Sequence, residues 1–511
     1  MSDIEEKSRE QMKKSRIKRF IAVVLFVLAA TYLLLLIPER KPSLQSADLG
    51  LPQKQPFAWN QDLYWQSLEA KYRQLQQSGC NGIQNQTASE LLEATRLLLR
   101  ISQKKLGPDA PEFTELETRM FEIGPLVSGC NVFIPEYIRF VTDVRDVVKG
   151  QSERWDINSD SSKITLYRLL YGGRTAIEEI MLQIPGNSYP VLIRDAEAPS
   201  RTPAADVRNV EIHSGDILVS RGGAPTSALI ARGNDYPGNF SHIALVYVDP
   251  RMHGAKIVES HIERGVVVST VEEYMKDKKL RIMLLRLRAD LPQIIKDPML
   301  PHKAAEFAYK RAKEGHIPYD FAMDYKDHSK LFCSEVASAA YEKFGVRLWA
   351  GISHISSPGL RKWLSAFGVT HFETQEPSDL EYDPQLVVVG EWRDQATLKK
   401  DRYDNAVTEV MLEGAEKGDE LRYQWYLLPL ARILKAYSVV MNLFGGIGPV
   451  PEGMSATAAL RTTYYEKRHN MIAELLSVKA EQFKTDHGYA PPYWELVKLA
   501  RISKEEVEKG K

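Results

Sequence analysis

From Phe20 to Ile37 the chain runs for 18 residues with only Thr31 and Tyr32 as mildly polar members. As an α-helix rising about 1.5 Å per residue, that run is about 27 Å long and crosses a thin bilayer. Lys13, Lys14, Arg16, Lys18 and Arg19 cluster ahead of it with no acid among them. A basic flank that comes first keeps the N-terminus in the cytoplasm and sends the rest across. The rival reading is a cleaved signal peptide, whose apolar stretch is shorter and ends at a small-residue cleavage site. Here the leucine run continues to Ile37 and meets Pro38, Glu39 and Arg40. A buried core helix fits poorly with basic residues so close. The expectation is a single-pass anchor over 20–37 in the inner (cell) membrane. Residues 1–19 would be a basic cytoplasmic segment, and the bulk of the chain would be periplasmic or otherwise extracytoplasmic.

Export changes the meaning of the three cysteines. Cys80 and Cys130 each sit in a Ser-Gly-Cys-Asn context. An oxidising compartment favours a disulfide between them, two buried free thiols being the alternative. Pairing them leaves Cys333 over, and a leftover cysteine in an exported protein is either an accident or a reactive thiol. Lys plus Arg and Asp plus Glu number 67 each. No global field therefore draws the chain to nucleic acid, and no finger, basic stripe or RNA-binding motif is present.

At 511 residues the chain is too long for one compact core. Residues 38–57 are polar, carry Pro42, Pro52 and Pro56, and read as a stalk. Residues 58–200 read as a helical domain. Leu68, Tyr72 and Leu75 recur at helix spacing, and Thr87 with Glu90 forms a capping box that predicts a helix start. Further helices are expected over Ile138–Val148 and Ile164–Leu182, and Pro190–Pro203 reads as a linker. Over 205–395 the period changes to strands: 216–220, 243–248, 256–261, 266–269, 280–287 and 386–389, with helices over 302–313 and from Cys333. The expectation there is an α+β domain. Residues 396–511 read as helical again. Within them Trp425–Phe444 is apolar but contains Pro429, Arg432 and Lys435, which disfavours a second span. A buried amphipathic helix is the default reading for it, and a helix lying on the membrane the alternative.

Val336, Ala340 and Phe344 follow Cys333 at a spacing of four, and Gly345 is a natural stop. Cys333 is thus expected at a helix N-terminus, where free N–H groups and the dipole favour thiolate and can bind an oxyanion. A buried cysteine without function is the plainer alternative. A thiol nucleophile needs a base, and His242 opens the apolar strand Ile243-Ala244-Leu245-Val246. By itself it would equally be an exposed strand-edge histidine. The imidazole needs an orienting acceptor, and Glu259 on the next strand would come across from it in a hairpin. His261 on the same face is the runner-up and Glu263 a weaker third. No H-E-x-x-H, C-x-x-C, G-x-S-x-G or P-loop spacing occurs, so no metal and no cofactor is expected.

Five short segments then fall into a recognisable order. They are Gly215-Asp216-Ile217-Leu218, Ser241-His242-Ile243-Ala244, Val258-Glu259-Ser260, Pro318-Tyr319-Asp320 and Phe332-Cys333-Ser334-Glu335. Together, over about 210–389, they resemble the circularly permuted papain-like amidases of the YiiX/YaeF type, relatives of the NlpC-type cell-wall peptidases and, more distantly, of lecithin–retinol acyltransferase. In that family the cysteine follows the histidine. The resemblance implies a permuted papain-like domain with an antiparallel sheet, Cys333 as nucleophile, His242 as base and Glu259 as orienting residue. It implies that Tyr319 lines the pocket near the cysteine, with Ser334 and His261 beside the substrate, that Asp320 braces its loop, and that Gly215 and Asp216 are structural. The partner it implies is a peptide or lipid acyl substrate. This chain departs from the family in the roughly 20 residues containing Gly222, Gly223 and Gly233 ahead of His242, and in its helical flanks, which could reshape the cleft. Three functions follow: an amidase acting on cell-wall peptides, a membrane-lipid hydrolase or acyltransferase, and a silent scaffold binding unknown protein partners.

Overall fold

The computed structural model describes residues 2–39, 54–184, 191–194, 198–251, 254–444 and 446–510. Most of the expected stalk (40–53, with Pro42 and Pro52) and residues 190 and 195–197 of the expected linker lie outside them. In chain order the N-terminal helices are α1 (Ser2–Leu35), α2 (Asp62–Ser102), α3 (Pro111–Gly129), α4 (Ile134–Ser152), α5 (Asp160–Leu166) and α6 (Gly172–Gln183). The next block is β1 (Leu192–Arg194), β2 (Ala204–Val207), β3 (Val210–His213), β4 (Ile217–Gly222), α7 (Pro225–Arg232), β5 (His242–Val248), β6 (Ala255–His261), β7 (Gly265–Thr270), α8 (Val271–Lys276) and β8 (Lys279–Leu287). Then come α9 (Pro292–Lys296), α10 (Leu300–Glu314), α11 (Cys333–Glu342), β9 (Ser353–His354), α12 (Pro358–Phe367), β10 (Glu373–Thr374) and β11 (Leu386–Trp392). The chain closes with α13 (Gln395–Glu416), α14 (Leu428–Leu443), α15 (Ala456–His487) and α16 (Tyr493–Lys509).

Seven strands form one antiparallel sheet in the order β1-β11-β8-β4-β5-β6-β7. The near-continuous apolar run of β5 has a physical reason: both faces of the sheet are covered. Ile243, Leu245 and Tyr247 pack with Ala304, Val336 and Ala337 of α10 and α11. Ala244, Val246 and Val248 pack on the opposite side with Val210 and Ile212 of the β2–β3 hairpin and Tyr274 of α8. Burying each of the Val, Leu and Ile side chains among them is worth about 1.5–3 kcal/mol. Only the first residue of β5, His242, stands where solvent reaches it.

The expected strands and the helices over 302–313 and from Cys333 are all present within a few residues. Three readings need correction. Thr87 does not start a helix; it lies inside α2, buried, with its hydroxyl donating to Ile83 O at 2.8 Å, and the chain departs from helical geometry at Gly79 instead. The supposed linker supplies β1, which pairs antiparallel with β11 and extends the sheet. A three-residue strand has no period to read. Finally, α14 is not a buried amphipathic helix: of its residues only Leu428, Pro429, Ala431 and Ser438 are buried.

α1 contains one stretch, Ser15–Leu35, long and apolar enough to cross a membrane, and its described side chains are largely exposed. Cys80 and Cys130 are joined as a disulfide between α2 and the end of α3. The N-terminal helices are held to the sheet through sealed ion pairs. Arg281 and Arg393 share Glu178, and Arg145 meets Glu391 at 2.7 Å.

Candidate active site

The start of α11 is built by its neighbours. Leu331 donates its N–H to Pro318 O at 3.0 Å and receives the Ser260 hydroxyl on its carbonyl at 2.6 Å. Glu335, three residues into the turn, accepts the Phe332 N–H at 3.0 Å and closes the helix end. Val336, Ala337 and Tyr341 are buried in the core beneath, so the helix has one seating. This puts Cys333 at the first helical position, 6% exposed and unpaired with any other cysteine.

The Cys333 sulfur rests on β5 at His242. Its Sγ lies 4.0 Å from Ser241 O and receives the N–H of Ile243, so it touches the peptide groups on both sides of the histidine. Burial outweighs those N–H contacts and pushes the thiol up to about 12. The resting Cys333 side chain is therefore a protonated thiol, contrary to the helix-end expectation of thiolate, because desolvation exceeds what the dipole and two N–H groups return.

Glu259 is not directly opposite His242. The β5–β6 register pairs it with Ala244, so it reaches His242 diagonally on the same face. His242 Nε2 and Glu259 Oε2 are 2.8 Å apart. His261 Nε2 approaches the other oxygen at 3.2 Å, and the Ser269 hydroxyl donates to it at 3.0 Å. One buried carboxylate thus holds two imidazoles, whose ring centres are 5.8 Å apart. Burial alone would raise Glu259; the hydrogen bonds from His242 and His261 hold it well below the ordinary carboxylate range. Burial depresses His242 despite the Glu259 bond. His242 is neutral near pH 7, with Nε2 committed to Glu259 and Nδ1 left as the basic nitrogen.

The remaining sequence candidates divide between this cluster and other parts of the domain. Tyr319 lies within electrostatic reach of the Cys333 thiol and packs edge-on against Phe321 at 5.0 Å. Its loop is pinned at Gly265, where φ is +69° and a Cβ would meet Ile317 O at 2.1 Å; only glycine fits. Asp320 is buried and accepts the N–H groups of Ala322 and Asp324 at 2.9 and 2.7 Å, bracing the same loop. Ser334 is fully buried, so its side chain has no face toward a substrate; its backbone N–H faces the sulfur. Gly215 and Asp216 sit elsewhere. Gly215, at φ +100°, has the Pro301 backbone against its open side, and its carbonyl accepts the Tyr341 hydroxyl from α11. Asp216 takes Arg286 on both oxygens at 2.8 Å. Glu263 is near His261 only loosely, at 3.9 Å.

One acid went unseen in the sequence. Glu376 is 3% exposed, its carboxyl is pushed well above the carboxylate range by burial and then by Asp379, and its charge would register at both Cys333 and Tyr319. It lies 43 residues past Cys333 in a segment with no motif, so no spacing could have pointed to it. The cavity of about 1290 Å³ lined by Trp59, Tyr171, Arg232, Arg402 and Trp494 lies between the flanking helices and contains none of the thiol-site residues.

A buried cysteine at a helix start thus lies against the backbone of the strand that opens with a carboxylate-held histidine, in one antiparallel sheet and with the cysteine later in the chain than the histidine. Residues 211–390 match the model of the permuted papain-like amidase family of the YaeF/YiiX type, and this segment is a domain of that family. The crystal structure of the metalloprotein YiiX from Escherichia coli aligns at a TM-score of 0.27 with 17% identity, over 34% of this chain and 95% of that one. No curated protein matches the chain.

Proposed function

We propose that this chain is an exported, membrane-anchored cysteine amidase that cleaves its substrate through a Cys333 thioester. The reading rests on one juxtaposition: the Cys333 sulfur lies against both peptide groups that flank His242, and His242 Nε2 is held by Glu259, so a turn of the His242 ring toward the sulfur completes the pair. His242 Nδ1 takes the thiol proton as Sγ attacks the amide carbonyl. The C–S bond forms and the carbonyl pair moves onto oxygen, where the N–H groups at the start of α11 meet the charge. His242 then gives its proton to the departing amine as the C–N bond breaks. A water, deprotonated by the same nitrogen, attacks the thioester and releases the acid and the thiol. Glu259 stays ionised throughout and steadies the imidazolium. His261 shares the Glu259 carboxylate at the open side of the cluster and lies beside the incoming acyl group, while Tyr319 lines the other wall. Cell-wall peptides are the substrate class the family affiliation favours.

A lipid acyl substrate is the second reading, favoured by the exposed apolar helix α14 in a chain with an N-terminal span. Incubating the full chain with short muropeptides or with phospholipid vesicles, and reading the intact mass of the protein, separates the two. A mass gain on Cys333 equal to the peptidyl acyl group supports the first, and a fatty-acyl gain the second. No adduct with either in the wild type, under conditions where an activated ester acylates Cys333, contradicts both substrate assignments.

A further inference from the structure

The end of α1 is not loose. Arg432 of α14 donates to the carbonyls of Leu34, in the last turn of α1, and Ile37, just past it. The Tyr32 hydroxyl reaches Tyr426 O at 3.5 Å. Glu39 approaches Arg432 at 3.9 Å and accepts the Ala456 N–H at 3.2 Å at the start of α15. Hydrogen bonding to Thr457 and Ala456 and the charge of Arg432 hold the Glu39 carboxyl below its usual range against burial. The point at which the apolar span ends is therefore fixed onto the side of α14, and Tyr426 stands level with Tyr32, five residues inside that end.

α14 presents an apolar stripe at the same level. Leu430, Ile433, Tyr437, Val440 and Phe444 recur at helical spacing and are all exposed, Ile433 at 59% and Phe444 at 84%. Trp425 and Tyr426 are exposed just ahead of it, the residue types that collect at the headgroup level. Exposed apolar stripes of this extent mark an interaction surface. A helix locked beside the exit of a membrane span meets the lipid boundary before any other surface.

The chain after α14 ties this level to the thiol site. Glu452 donates its N–H to Glu263 O at 3.4 Å, in the turn that follows His261, and its carboxylate meets His316 Nε2 at 2.8 Å. Gly453 packs on the Phe321 ring. Glu452 follows Phe444 by eight steps along the chain, so the end of the stripe and Glu452 are at most about 29 Å apart.

We propose that α14 lies in the outer interface of the phospholipid bilayer that α1 crosses, apolar stripe down, and so holds the mouth of the Cys333 site beside the membrane surface. This rests on the anchored reading above but makes a separate claim, that α14 itself touches lipid. The test uses the full chain in phosphatidylcholine–phosphatidylglycerol vesicles, in a Cys333→Ser background. An environment-sensitive nitrobenzoxadiazole label is placed at Val440→Cys, at Ile433→Cys, or at Phe26→Cys in the middle of the span. Blue-shifted emission from positions 440 and 433, quenched at least twofold by lipid carrying a shallow nitroxide, is the expected result. Water-like emission there, quenched by iodide, with a lipid-buried signal at position 26, overturns the proposal and leaves the anchor standing. Shielding of 440 and 433 from both quenchers overturns it in favour of a protein cover. A water-like signal at position 26 overturns the anchor and this proposal together.

Discussion

Two buried polar clusters sit within this fold, and they are built from different side chains for different ends. Behind the sheet, Arg145, Arg174, Arg281 and Arg393 interleave with Glu178, Glu381 and Glu391, all nearly sealed from solvent. At the end of β5, His242 and His261 share Glu259 and keep side-chain exposures of 17% and 26%. Guanidinium stays charged at any working pH, so the first cluster can only hold or break. Imidazole changes charge near neutrality, so the second can pass a proton. Both clusters pin carboxylates below their ordinary range, Glu391 to about 2 through Arg393 and Arg145 against burial, and Glu259 further through its two histidines. A depressed carboxyl alone therefore does not distinguish glue from chemistry. The partner's ability to titrate and its access to solvent do.

The contrast can be broken at either cluster. Cys333→Ala should lower acyl-thioester turnover of an activated ester by on the order of 10⁴-fold or more while circular dichroism stays that of the wild type. His242→Ala should lower the same rate by about 10²–10⁴-fold with the fold retained. Glu178→Ala should do the reverse. It takes from Arg281 and Arg393 one of the two carboxylates that each meets, Asp401 staying with Arg281 and Glu391 with Arg393, and by leaving the sealed cluster one negative charge short should cost roughly 3–5 kcal/mol in denaturant unfolding, with the per-folded-molecule rate within a few-fold. Replacing Cys130 by Ser opens a link spanning 50 residues and should cost roughly 2–4 kcal/mol, again without touching the rate.

The last effect is a slope with pH. Burial pushes the Glu335 carboxyl beside Cys333 up to about 9 from 4.5, with Asp320, Asp324 and Asp327 adding to the rise. A folded-state value above the unfolded one gives stability that is fully present below pH 4.5 and lost as pH climbs toward 9. One such group contributes a decline of at most about 1.4 kcal/mol per pH unit across that window. Glu335→Gln, which keeps the acceptor for Phe332, should flatten the decline in unfolding free energy measured between pH 5 and pH 9. An unchanged slope would mean that Glu335 ionises normally in the fold.

The elements that carry the candidate thiol site were legible because they follow local rules. A cysteine ahead of a four-spaced apolar run marks a helix start, and a histidine ahead of an apolar run marks a strand end. Their sequence order, with the two further segments between, carried the family resemblance. The diagonal reach of Glu259 was not legible, because register depends on where the β5–β6 turn places the strands and one residue of slip would have turned Glu259 away. Glu376 was invisible for a different reason: its nearness to Cys333 comes from the packing of the segment after β10, a long-range contact that leaves no periodic trace. The reading of α14 failed through a sound rule applied without its neighbour. An apolar helix with charges is ordinarily buried, but Arg432 is spent on the end of α1, which leaves the stripe outside.

The central claim is that His242 is the base for Cys333. It is tested most directly by the pH dependence of Cys333 alkylation by iodoacetamide in the full chain and in His242→Ala. Because burial sets His242 below 6.5, the account predicts a wild-type rate that rises through an inflection under that pH and is flat through neutrality. In His242→Ala that inflection vanishes, and the rate falls by about 10²-fold or more and climbs only in strong alkali, toward the thiol's own ionisation near 12. Superimposable profiles for the two proteins would contradict it.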